Sequence, residues 1–509
     1  MCQNLVRTPL LEAHSHTYKR HRPEQTMLYQ LVERHYPEFL EQLSHQGKSL
    51  PKHVEKEFEE FLKCGRLEHG FLRVVCDDCK HEKLVAFSCK KRGFCPSCGA
   101  RRMAESAKLL VDDVLSGYPV RQWVLSLPIP LRLLLARYPK ELSKVMQIIH
   151  RAIATDVIQR AGYLKKQANT GAVTYIQRFG SALNLNIHFH MLFLEGVITQ
   201  EDAKVKFSPV KAPSHADMEH LVHVISHRIA AYLERAGLIE RDANSAFLDL
   251  PLEDEDGMLH LQAASVSYRI AVGKDIGKKV FTLQTLPAQD EDTYGQLAQI
   301  DGFSLHAGVF ADTHQAQKLE RLCRYIARPA VSEKRLSLTA TGNIRYELKT
   351  PYKDGTTHVF FSPFDFISKL AALVPPPRLN LTRFYGVFAP NSNVRARVTA
   401  SQRGKKSPRL AEQLKDPEQP YHARSMSWAQ RLKRVFNIDI TVCEACKKTN
   451  VKIIACITEA AIIQKILTHL DKQDSPITAN SCRAPPLNES MQLTRLDDFV
   501  IQRDFDFGA

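Results

Sequence analysis

The sequence predicts an α/β protein in which a helical, cysteine-rich region precedes a sheet flanked by helices. Three observations predict it. Apolar residues make up 44% of the 509, which suits buried cores and excludes a disordered chain. Apolar side chains recur at helical spacing in some stretches and alternate with period two in others. Five cysteines crowd between Cys76 and Cys98. A chain of this length exceeds one ordinary core, so roughly two to four domains are expected.

The elements follow in order. Residues 24–63 read as helical, because Leu28, Leu31, Val32, Phe39 and Leu43, then Val54, Phe58, Phe61 and Leu62, fall at helical spacing. Trp123 to Leu127 is strand-like and stops at Pro128. A long helix is expected over 138–163, strands over Val173–Phe179 and Leu185–Leu194, and an amphipathic helix over 216–236. The acidic stretch 240–300 has no readable period. A helix is expected from Thr313 to Arg328, with Asp312 placed to cap it and Gln315 three residues later. Turn signals at Thr341-Gly342-Asn343 and Asp354-Gly355 separate short strands. Ser362-Pro363 opens a helix that Pro375, Pro376 and Pro377 end. Residues 391–410 carry six basic and no acidic side chains and read as an exposed linker suited to phosphates.

Lysine plus arginine total 70 against 55 acidic residues, a net charge of +15. That excess favours a polyanionic partner, either nucleic acid or an acidic membrane surface. No apolar run reaches the roughly 18 residues of a spanning helix. The first residues lack the apolar core of a secretory signal. Nucleic acid is therefore the expected partner, the cytoplasm the expected compartment, and no membrane association is expected.

Twelve cysteines in a long intracellular chain point to metal rather than disulfides. Cys76-Asp77-Asp78-Cys79 and Cys95-Pro96-Ser97-Cys98 are two C-x2-C pairs separated by 15 residues. Two knuckles of this kind complete a tetrahedral site, so Cys76, Cys79, Cys95 and Cys98 are expected to hold one structural zinc. Cys89 is a spare that could replace one of them. From Lys83 to Ala104 there are basic residues, Lys90, Lys91, Arg92, Arg101 and Arg102 among them, and no acidic one. That ribbon suits phosphate contacts, although a plain solvated face has the same composition. Cys443-Glu444-Ala445-Cys446 is half such a site, with Cys456, His469 or Cys482 as candidates to complete it.

The run from Leu185 to Leu194 alternates. Leu185, Ile187, Phe189, Met191 and Phe193 fill one face, which leaves Asn186, His188 and His190 on the other. Two imidazoles so placed can bind one divalent cation from the same side, or simply line a polar patch. On the helix that follows, Leu319, Leu322, Cys323 and Ile326 form an apolar face. Lys318, Arg321, Tyr325 and Arg328 fall together on another side, with Arg324 adding to the basic surface. A tyrosine set in a basic stripe can meet a phosphate, and can equally be an amphipathic packing residue at a domain edge.

Three blocks together resemble the rolling-circle insertion-sequence transposases of the HUH endonuclease superfamily, of the common-region type. They are CDDCKHEKLVAFSCKKRGFCPSCGARR, TYIQRFGSALNLNIHFHMLFLEGV, and GFSLHAGV followed by LERLCRYIARP. The tail WAQRLKRVF with the Cys443 knuckle is similar as well. The resemblance implies an HUH-type nuclease domain with an antiparallel sheet flanked by helices, preceded by a helical and zinc-ribbon-like region. It implies that Tyr325 is the nucleophile, forming a 5′-phosphotyrosine, and that His188 and His190 hold Mg²⁺ or Mn²⁺. His306 is the first candidate for a third ligand and Gln177 the second. Relatives with two tyrosines carry the other one turn upstream; here that position is Arg321, which places this chain with the single-tyrosine branch.

The expected organisation is an N-terminal helical region (1–70), a zinc-binding domain (71–103), the nuclease domain (104–390), a basic linker (391–424) and a small C-terminal domain (425–509). Its partners would be single- and double-stranded DNA at element ends and target, in a bacterial cytoplasm at the nucleoid. The rival readings are a plasmid replication initiator or relaxase with the same chemistry, a noncatalytic zinc-dependent DNA-binding protein, and a zinc hydrolase acting on a small molecule.

Overall fold

The computed structural model describes residues 22–201, 204–241, 246–248, 257–287, 297–400 and 442–473. Within them the chain divides into two compact units. The larger holds the described residues of 24–62 and 89–400, and the smaller those of 22–23, 63–88 and 442–473. The division falls inside the 71–103 stretch read as one zinc-binding domain, and it joins part of the expected C-terminal domain to the N-terminal ribbon.

The larger unit is α/β and is built on a six-stranded sheet. Its spatial order is Leu297–Ile300, Phe303–Ala311, Val120–Ser126, Leu185–Leu194, Gly171–Phe179 and Thr382–Gly386. Every neighbouring pair is antiparallel. Side chains directly opposite across such a ladder share a face. The Leu185–Phe193 alternation therefore sorts the whole sheet into two sides.

One side is packed with aliphatic and aromatic groups. Trp123 and Phe193 meet at 6.4 Å between ring centroids. Helices Ile129–Arg137, Met258–Val266 and Pro363–Leu373 pack against the Leu185–Leu194 strand. His150, on the helix Pro139–Arg160, stacks between Phe193 and Tyr385 at 5.3 and 4.5 Å. Burial there pushes its pKa down to about 4, so it is a neutral packing ring. On the other side, Val173, Tyr175, Leu192, Leu194 and Val309 form a core with Leu319, Leu322, Cys323 and Ile326. That core fixes the helix Ala316–Ile326 over the face that carries the two histidines.

The helix starts later than expected. Its N-cap is Gln315, and Asp312 does not cap it. The Asp312 carboxylate instead accepts from the Thr313 N–H at 2.6 Å, and its own N–H donates to Gln315 Oε1 at 3.2 Å. With the N-cap at Gln315, Asp312 stands three residues upstream of the capping position, and its Oδ1 is engaged by Thr313. The expected helix over 216–236 is His215–Arg235, opened by a capping box of Ser214 and Asp217.

The basic linker also differs from expectation where it is described. Residues 391–400 pack on the larger unit, with Val394 and Val398 in the core and Arg395 buried over the Phe384 ring at 5.4 Å. Apolar residues spaced between the arginines anchor this stretch. The rest of that linker and the WAQRLKRVF segment lie outside the described residues, as do residues 1–21 and Cys482.

The smaller unit is a three-stranded antiparallel sheet in the order Val451–Ile457, Phe71–Cys76, Glu82–Ala86. Leu67, Phe71 and Ile463 form its core, which brings the helix Ala460–Gln473 onto the ribbon. Among the described residues no helix is long and apolar enough to cross a membrane.

Candidate active site on the histidine face of the sheet

Two rows of the ladder carry the polar groups. In one, His306, Val124, His190 and Tyr175 lie side by side on successive strands; in the next, Ser304, Ser126, His188 and Gln177 do. His188 and His190 are fully buried, with ring centroids 5.0 Å apart. Burial, then the nearby His188 and Arg328, holds His190 well below the ordinary imidazole range, so the ring is neutral.

The hydrogen bonds orient both rings. His188 Nδ1 is 3.0 Å from the Asn186 carbonyl, which can only accept, so Nδ1 donates. His188 Nε2 lies 2.9 Å from Gln177 Oε1. The Gln177 amide cannot simply turn over, because its Nε2 donates to the Ile326 carbonyl at 3.2 Å. A singly protonated His188 therefore sets two acceptors face to face, an arrangement that a cation or a second ring proton resolves. His190 Nδ1 meets Gln122 Nε2 at 2.8 Å, and its Nε2 is buried without a hydrogen-bond partner. With the Gln122 amide turned, Nδ1 donates to Oε1 and the Nε2 lone pair is available to a metal. These donors fit a divalent cation with nitrogen and oxygen ligands.

Gln177 thus touches His188 directly. His306 shares the face but lies two strands from His190 with Val124 between, roughly 10 Å away at the strand spacing. Its Nδ1 accepts from the Gly308 N–H at 3.3 Å, and burial followed by Arg121 lowers its pKa to about 4. The first candidate for a third ligand is therefore the more distant one.

Tyr325 comes down on this face from the helix. Its ring stands perpendicular to His190 with centroids 6.3 Å apart. The Arg328 guanidinium lies 4.4 Å and the Lys349 ammonium 4.2 Å from the Tyr325 ring centroid. Burial, then Arg328 and Arg335, lowers Lys349 to about 8. Arg328 also donates to the Tyr325 carbonyl at 3.0 Å, which holds it at the helix end. Among the other tyrosines, Tyr175 and Tyr346 are buried in packing positions, while Tyr325 is half-buried at the edge of its core.

The four cysteines expected to share one zinc fall in two different thiol groups. The thiols of Cys76 and Cys79 gather with those of Cys443 and Cys446, all ligand atoms lying within 4.8 Å of one another. Cys95 and Cys98 gather with Cys89 in the larger unit, where Cys89 Sγ and Cys98 Sγ are 3.4 Å apart. The reason is local. Cys95-Pro96 is not a knuckle but a helix start, with Cys95 at the N-cap and Pro96 at the first helical position of Pro96–Lys108. The candidates Cys456 and His469 are not members of the Cys443 group among the described residues.

Two family models match the chain. One, described as "Putative transposase", covers residues 171–396, and the other, described as "Transposase zinc-binding domain", covers residues 31–127. Together they span more than half of the sequence. The chain belongs to the IS91-type transposases. No curated protein and no solved structure matches it. Membership makes DNA its partner and DNA cleavage and strand transfer its activity, and it makes zinc a component of the thiol-bearing region.

In the transposase the expected DNA-contacting side chains are unequal. Arg92 donates to the Leu379 carbonyl, and Arg102 donates to the Lys90 and Lys91 carbonyls at 3.0 and 3.1 Å. Both brace the thiol loop. Arg101 lies 3.9 Å from Glu105, and Arg324 pairs with Glu320 at 2.6 Å. Lys90 and Arg321 are exposed, and Lys91 and Lys318 are half-exposed. The thiol loop bears on the tyrosine helix through Pro96–Lys108, which packs against Ala316–Ile326. Gly99 permits that approach, since a Cβ there would lie 2.7 Å from Pro329 Cβ.

Sequence reasoning missed Gln122 and Lys349. Gln122 has the same strand parity as Val124 and Ser126, which is a signal, but its pairing with His190 depends on register. Lys349 has no local signal, because it reaches Tyr325 from a distant loop.

Proposed function

We propose that this transposase nicks and rejoins single-stranded DNA through Tyr325 during rolling-circle transposition. The observation that carries the reading is the Tyr325 ring, flanked by Arg328 and Lys349 and set edge-on to His190 beside a buried donor set. The phenol oxygen attacks a phosphodiester. A tyrosyl O–P bond forms as the bond from phosphorus to the 3′-oxygen breaks, and the leaving oxygen takes a proton to become a free 3′-hydroxyl. Attack of a 3′-hydroxyl on the phosphotyrosine reverses the step, restores the phenol and joins the strand at a target.

His188, His190 and Gln177 would hold Mg²⁺ or Mn²⁺, which polarises the scissile phosphate when bound. The chain does the rest. Asn186 and Gln122 orient the two imidazoles. Gln177 ties the donor set to the Ile326 carbonyl, one residue past the nucleophile, so the ligands and the helix keep a common register. Lys349 and Arg328 stabilise negative charge on the phenol oxygen and the phosphate. Lys318, Arg321, Lys90 and Lys91 supply phosphate contacts without reading sequence. Because Arg321 occupies the upstream position, each subunit forms one phosphotyrosine at a time. The work is done in the cytoplasm, on DNA at the nucleoid.

The test is incubation with labelled single-stranded element ends and Mg²⁺, followed by protease digestion and mass spectrometry. A DNA fragment on the peptide containing Tyr325 is expected; a fragment on any other peptide refutes the assignment. A replication initiator or relaxase would share this chemistry. Comparing element ends with plasmid origins as substrates separates the two, and the matched transposase models favour element ends.

A further inference from the structure

We infer that Cys76, Cys79, Cys443 and Cys446 bind one zinc ion, so that the N-terminal ribbon is closed by a knuckle from the far end of the chain. The matched zinc-binding model ends at residue 127 and leaves the second pair unassigned.

The two pairs are built alike. Each is C-x2-C followed by lysine, Cys76-Asp77-Asp78-Cys79-Lys80 and Cys443-Glu444-Ala445-Cys446-Lys447. Both lysines are left-handed, at φ 62° and 61°. Both turns make the same two backbone hydrogen bonds. The Lys80 and Lys447 N–H groups donate to the Cys76 and Cys443 carbonyls at 2.9 and 3.0 Å. The Cys76 and Cys443 N–H groups donate to the His81 and Lys448 carbonyls at 3.0 and 2.8 Å. This turn aims two sulfurs at one point, and two such turns facing each other supply four.

The facing is observed. Cys76 Sγ is 3.6 Å from Cys446 Sγ and Cys79 Sγ is 3.4 Å from Cys443 Sγ, far longer than a disulfide of about 2.05 Å. Unbonded sulfurs at these separations match the edges of a thiolate tetrahedron, with metal–sulfur bonds of about 2.3 Å. The flanking charges are complementary. Lys83 pairs with Glu444, Asp77 with Lys452, and Asp78 with Lys448 at 3.5 Å. The surrounding lysines also offset the double negative charge that four thiolates leave on a divalent ion. The pairing of Phe71–Cys76 with Val451–Ile457 fixes the approach, with Cys76 opposite Val451.

The test uses the purified full-length protein and does not depend on nicking. Elemental analysis should show that Cys443→Ser/Cys446→Ser loses one zinc relative to wild type, while Cys456→Ser, which changes an exposed thiol outside the group, loses none. On the wild type, maleimide footprinting should find the four thiols shielded together. A chelator should release them together, with alkylation faster by on the order of tenfold or more. Unchanged zinc in the double variant overturns the inference, and so does iron in place of zinc. Should the variant not fold, the wild-type footprint decides: Cys443 and Cys446 reacting while Cys76 and Cys79 stay shielded also overturns it.

Discussion

The histidine face and the facing thiol knuckles assemble their donors in opposite ways. His188 lies 2 residues from the carbonyl that orients it and 11 from Gln177, all on adjoining strands of one sheet. The thiol contacts join residues 370 and 364 apart. A sheet holds its side chains in place with or without an ion, because the ladder and the core behind it fix them. A set closed over hundreds of residues incurs a loop-closure entropy that sheet neighbours do not, and metal binding can offset it. On the proposed reading, removing the cation held at His188 and His190 should therefore stop chemistry and leave the fold; removing zinc should reach the fold itself.

That contrast can be broken at several points. The largest effect belongs to Tyr325→Phe, which removes one oxygen and little volume. Covalent adduct and nicking should fall by at least about 10⁴-fold with DNA binding and thermal stability unchanged. Residual nicking within tenfold of wild type would sink the assignment. Next comes His188→Ala with His190→Ala. Nicking should drop about 10³-fold while the affinity for single strands, measured by anisotropy, persists, since lysine and arginine contacts supply it. Full activity in that double variant would leave the histidines as packing.

Away from the facing knuckles, Cys95→Ser should lower zinc content and yield of soluble protein, because Cys95 starts the helix Pro96–Lys108 that packs against the tyrosine helix. Wild-type zinc content and solubility would show that Cys95 binds nothing.

Lys349 offers a finer probe. Its pKa of about 8 means the ammonium is present below that pH and lost above it. Nicking should decline as pH rises through about 8. Lys349→Arg keeps its charge and should move that decline to higher pH, whereas Lys349→Ala should cost about 10²-fold below pH 8. Identical profiles for all three proteins would exclude Lys349 from the chemistry. The smallest effect is expected from Gly99→Ala, whose new methyl group meets Pro329. A loss of about 1–3 kcal/mol in stability is expected by chemical denaturation.

What could be read in advance follows the same division. The alternation from Leu185 to Phe193 settles which way His188 and His190 point, because a strand's side chains obey a period of two whatever it pairs with. The apolar face of Leu319, Leu322, Cys323 and Ile326 likewise places Tyr325 off the core. Neighbours across the sheet are a matter of register, and no local pattern announces that Gln122 meets His190 or that His306 falls two strands away. A C-x2-C pair specifies a turn and not its partner. The one available correction was Pro96, whose fixed φ suits the first turn of a helix and separates Cys95 and Cys98 from the knuckle at Cys76.

The pairing of Phe71–Cys76 with Val451–Ile457 also sets a timetable. Chains emerge from the ribosome at roughly 5 to 20 residues per second, so the ribbon waits some tens of seconds for its third strand. During that interval its strand edge is unpaired and two of its sulfurs lack their counterparts. A message truncated before Cys443 yields a product whose ribbon lacks its third strand, however complete its larger unit. A gene copy lacking its 3′ end would therefore encode a ribbon without its third strand and without the second pair of sulfurs.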